Sequence, residues 1–355
     1  MIPDIGVSNG IMSTVLNYAK AMPDDIVFDV VYFAEKEKTR QSDIEALGGR
    51  VFKISAPSPS SAVKGEMKKF FAEHKGEWDV LHINAPHFAL FIASFAKAAG
   101  IKKICVHSHS TEFSLKGNSS RNMLLSLYAK AFVKDKFACS EESGKFWYGN
   151  LDFTVLRNAV DCKEYEYNSN VRQSKRIELG LTDELVIGHI GRTDIPQKNH
   201  GFILQVFSEI CKLNDNSKLL LVGAEQTDEL SKQCNILNIQ DRVEFLGSRG
   251  DVSELLNAFD VFLFPSTSEG LPVSVIEAQA SGLPVVMSDV ITDEVIVCDT
   301  VKKVSLSDSP TIWAETCIEA ANNKRTSSFN EMCDAGWDIN SCSQILVDYY
   351  KGLIQ

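Results

Sequence analysis

The sequence predicts an α/β chain of two domains, each a parallel sheet with helices on both faces. Strand-like apolar runs alternate with helical patterns throughout the first half, with short connections. Residues 261–287 read without a break as strand, turn, helix and strand. The 355 residues are enough for two domains of ordinary size.

In chain order, Met1-Ile2-Pro3-Asp4-Ile5-Gly6-Val7-Ser8-Asn9-Gly10 leads into a helical pattern through Ala19, with Ile11, Val15, Leu16 and Ala19 on one face. Gly6 and Gly10 permit close backbone approach to a ligand, and a helix N-terminus supplies N–H donors. Almost nothing precedes this turn. The first strand of the sheet is therefore expected to be missing, which would leave the sheet open at its centre. Strand-like runs follow at 26–33, 51–54, 80–83, 104–106, 137–139 and 154–156, with helical patterns near 41–47, 62–74, 88–99, 120–134 and 141–148. The 120–134 helix carries Met123, Leu124, Leu127 and Ala131 on one face. That face is expected to pack on its sheet; the alternative is a membrane surface, given Arg121, Lys130 and Lys134 nearby. His107 and His109 bracket a serine just past the strand that ends near Val106, and His109 projects further of the two.

The second half opens with a strand at 185–190 that runs into Gly191-Arg192-Thr193-Asp194-Ile195-Pro196-Gln197-Lys198-Asn199-His200. Gly191 allows the turn, Arg192 and Lys198 supply two cations, and a helix follows through Leu213. Two more buried strands end at Gly223 and Gly247, the latter followed by Arg249. The strand at 261–264 feeds Pro265-Ser266-Thr267-Ser268-Glu269-Gly270-Leu271-Pro272, and Pro272 is expected at the first helical position. The helix continues past Glu277 and Ala278 and stops at Gly282-Leu283-Pro284. Ligands of open α/β sheets bind beyond the strands' C-terminal ends. Two carboxylates there would repel a phosphate, so Glu269 and Glu277 fit hydroxyl groups of an attached ribose and sugar. Arg192 and Lys198 can neutralise a departing diphosphate. The combination reads as a sugar-nucleotide site, and the chain contains no Asp-x-Asp pair of the kind that holds a metal ion.

Bulk composition excludes several classes. A net charge of −11 argues against general nucleic-acid binding. The charge is uneven: residues 1–160 carry 20 Lys and Arg against 17 Asp and Glu, leaving 16 against 30 in the remainder. A basic half beside an acidic one points the first half toward an anionic partner. No apolar run approaches the ~20 residues of a spanning helix. The nine cysteines are scattered singly, as expected of small buried apolar residues in a reducing cytoplasm.

The pattern Pro265-Ser266-x-x-Glu269-Gly270-x-Pro272, then Glu277-Ala278-x-Ala280-x-Gly282-x-Pro284-Val285, resembles the signature of retaining GT-B glycosyltransferases of family four, the glycosyl transferases group 1. The resemblance covers most of the chain and is weakest at 161–184 and 288–336. It implies two Rossmann-like domains facing across a cleft: residues 1–160 on the acceptor side, 161–337 holding the nucleotide sugar, and 338–355 as a helix crossing back. The implied activity is metal-independent retaining transfer of a hexose-type sugar from a nucleotide-diphosphate sugar to a hydroxyl acceptor. That acceptor is lipid-linked in one version, and the setting is capsule, exopolysaccharide or lipopolysaccharide synthesis. The resemblance assigns catalytic roles to His109, Glu269, Arg192 and Lys198, and donor binding to Gly10, Arg192, Lys198, Gly247, Arg249, Glu269, Gly270, Leu271, Pro272 and Glu277. Gly6, His107 and His109 fall on the acceptor side. No metal or other cofactor is implied. The expected location is cytoplasmic, with peripheral contact at the inner membrane face through the first domain as a variant. A nucleotide-sugar epimerase and a non-catalytic partner subunit are the alternatives. A nicotinamide-dependent oxidoreductase would need G-x-G-x-x-G, which Gly6 to Gly10 do not supply.

Overall fold

The structure, a computed structural model, describes residues 1–7, 9–110 and 119–352, with the side chains of 119–122 excepted. It divides into two compact units, Met1–Ala159 with Ile339–Gln355, and Val160–Asp338.

The first unit contains β1 (Ile2–Asp4), β2 (Val30–Ala34), β3 (Val51–Lys53), β4 (Val80–Ile83), β5 (Lys103–Ser108), β6 (Asp135–Ala138) and β7 (Thr154–Val155). They form two parallel sheets, β1-β2-β3 and β4-β5-β6-β7. The sheets join at Met1, whose nitrogen donates to His82 O at 2.6 Å and whose carbonyl accepts from Asn84 N at 3.0 Å. The first strand is thus present, contrary to the expectation, and it is short. Beside it a cavity of about 430 Å³ opens between the chain around β2 and β4, lined by Phe28, Val31, Trp78, Val80 and Tyr350 among others. The expected strand at 26–33 begins only at Val30. Before it, a turn closes from Ile26 N to Pro23 O, and the Asp29 carboxylate is held by Arg50 and by Trp78 Nε1 at 2.8 Å.

The helix Ile339–Lys351 packs on this unit. Leu346 and Tyr349 join Tyr18, Cys105 and Phe137 in one apolar cluster, and Tyr350 Oη lies 2.8 Å from His82 Nδ1.

The helix Ser119–Phe132 departs from its expected orientation. Ser126, Ala129 and Val133 are buried, whereas Met123, Leu124 and Leu127 are more than half exposed. The apolar periodicity located the helix but marked its outer face, because the inner face is made of small residues that pack closely.

The second unit holds one six-stranded sheet, entirely parallel: β8 (Leu185–Ile190), β9 (Ser217–Val222), β10 (Val243–Gly247), β11 (Val261–Phe264), β12 (Val285–Ser288) and β13 (Val301–Val304), in spatial order β10-β9-β8-β11-β12-β13. The order reverses between β8 and β11, and that switch point is where a doubly wound sheet opens its ligand crevice. Near-continuous apolar strands suit a sheet covered on both faces, and every residue of β11 and β12 is buried. Trp313, Phe207 and Ile203 pack in the core of this unit. None of the nine cysteines, all among the described residues, forms a disulfide. No described helix is long and apolar enough to cross a membrane.

Candidate functional site

The two motifs of the second unit meet at its switch point. After β8 the chain passes through Gly191 and Arg192 to a short 3-10 turn, Pro196–Lys198. It then enters the helix His200–Leu213 through Asn199, which holds a left-handed φ of 59°. After β11 comes the loop 265–272. Thr267 N donates to Gln197 O at 2.9 Å, and Asn199 Nδ2 donates to Pro265 O at 3.1 Å. These two bonds stitch the loops together and fix where their side chains point.

Lys198 Nζ therefore reaches Glu269 Oε1 at 2.8 Å, with only 18% and 16% of the two side chains exposed. The same ammonium lies 4.8 Å from the centre of the Phe264 ring, a cation–π contact. Arg192 is more open and its Nε lies 3.5 Å from Asp194 Oδ1.

Glu277, on the helix Val273–Ala280, accepts a hydrogen bond from Tyr165 Oη at 3.0 Å. Burial pushes its carboxyl up to about 7; the Tyr165 bond and the positive charge of Lys198 oppose the rise, and Glu164 adds to it. Lys198 thus acts on both acids of the loop–helix motif. Pro272 is the N-cap of this helix, not its first helical residue: its ψ of 101° is extended, so the helix starts at Val273. Its ring offers no side-chain cap, so first-turn amides gain no side-chain acceptor from it. Leu271 is buried, and Gly270 stands between Glu269 and it.

Glycines end three neighbouring strands. A Cβ on Gly191 would lie 2.5 Å from His189 Nε2 and 3.0 Å from Lys198 Cδ. Gly223 packs on the Gly191 backbone, and Gly247 adopts a φ of 60°. Arg249 is not drawn into the Lys198 cluster. Its guanidinium pairs with Asp251 at 2.6 Å and Glu178 at 3.3 Å, in a network with the nearly buried Lys175.

In the first unit, His107 lies inside β5, buried, with Nε2 3.2 Å from Leu156 O. β5 extends to Ser108, so His107 is a strand residue and His109 is the one beyond the strand's end. His109 sits between two asparagines, Nδ1 3.0 Å from Asn158 Oδ1 and Nε2 2.8 Å from Asn84 Oδ1. Burial lowers its pKa to about 4, with the Asn158 bond opposing, so the ring is neutral at pH 7. A neutral imidazole has one N–H, so one of the asparagines turns its amide N–H toward the ring. Gly6 N donates to Asp4 Oδ1 at 2.9 Å. Gly10 begins the helix Gly10–Lys20, but the N-cap Asn9 accepts from Ile11 N and Met12 N. The Gly6, Ile11 and Met12 amides, donors expected to face a ligand, are therefore satisfied internally. Ser8, in the same turn, lies outside the described residues.

Sequence reasoning missed Tyr165, Asn84, Asn158 and Phe264. Phe264 was readable as the last residue of its strand. The others meet their partners across 112, 25 and 49 residues, and no local spacing announces them. Among the described residues no group of three or more His, Cys, Asp or Glu could hold a metal ion.

Residues 184–323 match the family described as Glycosyl transferases group 1. EpsF of Bacillus subtilis, assigned to the glycosyltransferases, is 29% identical over 360 residues, covering 96% of this chain and 93% of that protein. An Escherichia coli enzyme named UDP-Gal:alpha-D-GlcNAc-diphosphoundecaprenol alpha-1,3-galactosyltransferase is 26% identical over 232 residues, 61% of this chain and 59% of its own length. Among solved structures, HepE of Anabaena in complex with UDP and glucose superposes with a TM-score of 0.79 at 20% identity, over 99% of this chain and 98% of that one. None of these relatives is named as an epimerase or as a non-catalytic subunit. The family match thus spans residues 184–323, and the chain as a whole has the GT-B fold of its solved neighbours.

Proposed function

We propose that this chain is a glycosyltransferase that moves a sugar from a UDP-sugar to a hydroxyl group of a lipid-linked acceptor, with retention and without a metal ion, in the assembly of a cell-surface polysaccharide. The observation that carries the proposal is the Lys198–Glu269 ion pair at the ends of β8 and β11, with Arg192 on the same loop as Lys198. The pair holds an ammonium in place before any substrate arrives, so stabilising the departing diphosphate needs little reorganisation. Arg192 supplies the second cation. Glu269 and the amides of Gly270 and Leu271 take hydroxyls of the donor sugar, and Glu277 takes ribose hydroxyls.

In the reaction the bond from the anomeric carbon to the diphosphate oxygen breaks and a bond to the acceptor oxygen forms. The acceptor proton passes to the leaving diphosphate. The first unit is assigned to the acceptor, and His109, held neutral between two asparagines, offers a fixed imidazole to a hydroxyl group. The choice of UDP and of a lipid-linked acceptor draws on HepE, bound to UDP and glucose, and on the E. coli relative, whose name includes diphosphoundecaprenol. That relative forms an alpha linkage, which from an α-configured donor is retention. Such an acceptor would put the chain at the inner face of a membrane.

The test is a panel of UDP-, GDP- and ADP-sugars with lipid-diphosphate sugar acceptors in EDTA, with the anomeric configuration of the product read by NMR. A retained product from one UDP-sugar supports the proposal. Turnover only with added divalent metal, or an inverted product, overturns the corresponding part.

A further inference from the structure

Tyr165 meets the donor site from a stretch of the second unit that carries no motif. Its hydroxyl donates to Glu277 Oε1 at 3.0 Å, across 112 residues of sequence. Both residues keep part of their surface open. Glu277 Oε2 has no partner among the described residues, and a carboxylate offers about four acceptor positions in all. One oxygen is therefore held while acceptor capacity remains for incoming hydroxyl groups.

The mount from which Tyr165 reaches is fixed on both sides. Tyr165 ends the short helix Cys162–Tyr165, whose N-cap Asp161 accepts from Lys163 N and Glu164 N. At its start, Val160 N donates to Trp337 O at 3.1 Å and Cys162 N to Asp338 Oδ1 at 3.3 Å. Just after it, Glu166 Oε1 accepts from Ser327 Oγ at 2.9 Å. The helix also packs directly on Val273–Ala280, which carries Glu277. A tyrosine held in this way has little freedom, whereas a long, flexible glutamate loses rotamer freedom when a ligand orders it. Tyr165 imposes that order beforehand, and a preformed acceptor binds more tightly.

The hydroxyl also favours one form of the acid. A donor beside Oε1 stabilises the ionised carboxylate. The two charges that act on Glu277 oppose each other, Lys198 favouring ionisation and Glu164 disfavouring it. Lys163, beside Glu164, pairs with Glu166. The other helices packed on that of Glu277 carry Glu254, held by Lys175 at 2.7 Å, and Glu331 and Asp334; β11 and β12 carry no titratable group.

We infer that Tyr165 is a positioning residue for the donor: it holds Glu277 in the orientation and form that accepts ribose hydroxyls. This rests on the proposed assignment of Glu277 to the ribose and names the group that sets Glu277 for that task.

The experiment is calorimetric titration of UDP and of 2′-deoxy-UDP, in EDTA at pH 7 and pH 8.5. The proteins are wild type, Tyr165→Phe, Glu277→Gln and the double variant. Tyr165→Phe keeps the ring and removes one oxygen, and thermal melts check that it folds. For UDP at pH 7, Tyr165→Phe should weaken binding about five- to tenfold. The factor should shrink at pH 8.5, where the carboxylate forms without help from the hydroxyl. For 2′-deoxy-UDP it should be less than about threefold, and in the Glu277→Gln background it should vanish. Equal binding of UDP by wild type and Tyr165→Phe, with Glu277→Gln weakened, overturns the inference and leaves the ribose assignment standing. A loss that is the same at both pH values, for both nucleotides and in both backgrounds also overturns it, because a purely structural tyrosine would act so. UDP binding that is unchanged in Glu277→Gln would instead overturn the ribose assignment itself, and the inference with it.

Discussion

Lys198 and Glu269 stand 71 residues apart in sequence and meet at 2.8 Å at the C-terminal ends of β8 and β11. The pair joins the two motifs of the second unit into one cluster, with Phe264 beneath the ammonium and Glu277 within reach of its charge.

Breaking this pair from one side should cost stability. Lys198→Ala leaves the Glu269 carboxylate mostly enclosed without a partner. The expected loss is about 2 kcal/mol, below the range for fully buried pairs because both side chains keep some exposure. The double variant Lys198→Ala/Glu269→Ala should recover most of that loss. Chemical denaturation of the three proteins checks this, and transfer should be lost in both variants.

The Glu277 carboxyl, raised to about 7 from an ordinary 4.5, makes stability fall as pH rises. The folded state holds the proton that the unfolded state releases, so stability declines between about pH 4.5 and 7 and is flat above. Glu277→Gln should remove that decline and gain about 1–3 kcal/mol at pH 8, read from melts across pH. Affinity for a UDP-sugar should move the other way, rising through pH 7 as the carboxylate forms, and that rise should vanish in Glu277→Gln.

His109 acts in the opposite sense. Its pKa is depressed to about 4 from 6.5, so the unfolded state takes the proton first as pH falls. The first unit should lose stability between about pH 6.5 and 4, and keep it above. His82, lowered to about 3 by burial, adds to the same loss. His109→Gln should reduce the pH dependence and lower transfer while leaving UDP-sugar binding by the second unit intact. Circular-dichroism melts at pH 5 and 7.5, with donor titrations, check both halves.

Gly191→Ala should be among the most damaging small changes. Its methyl would sit 2.5 Å from His189 Nε2 and 3.0 Å from the Lys198 stem, so either the strand end or the lysine must shift. Overpacking of this kind costs about 1–3 kcal/mol. Displacing Lys198 by an ångström is expected to lower turnover by about 100-fold. Denaturation curves and initial rates separate the two effects.

Much of the second unit was legible in the sequence. The run 261–285 carries its own punctuation: an apolar strand, a loop with proline at the cap, and a glycine stop. The pairing of Lys198 with Glu269 was not legible as a contact, because strand order, not spacing, brings β8 beside β11. Glu277 was readable as a site residue, but its partner Tyr165 lies in the segment 161–184, where no motif stands out. Arg249 shows the limit of motif reading: the side chain is where the pattern puts it, and Asp251 and Glu178 already hold it. In the first unit the short β1 escaped notice because three residues carry no periodicity. The helix Ser119–Phe132 was found by a periodicity that marks its exposed side.

In the proposed reaction the Lys198–Glu269 cluster binds the diphosphate sugar without a metal ion. Calorimetric titration of a UDP-sugar in EDTA, into wild type and into a folded Lys198→Ala/Glu269→Ala protein, tests it most directly. Metal-free binding by wild type that weakens at least about 100-fold in the variant is the predicted result. Equal affinity in the two proteins, or binding that appears only when a divalent metal is added, would contradict it.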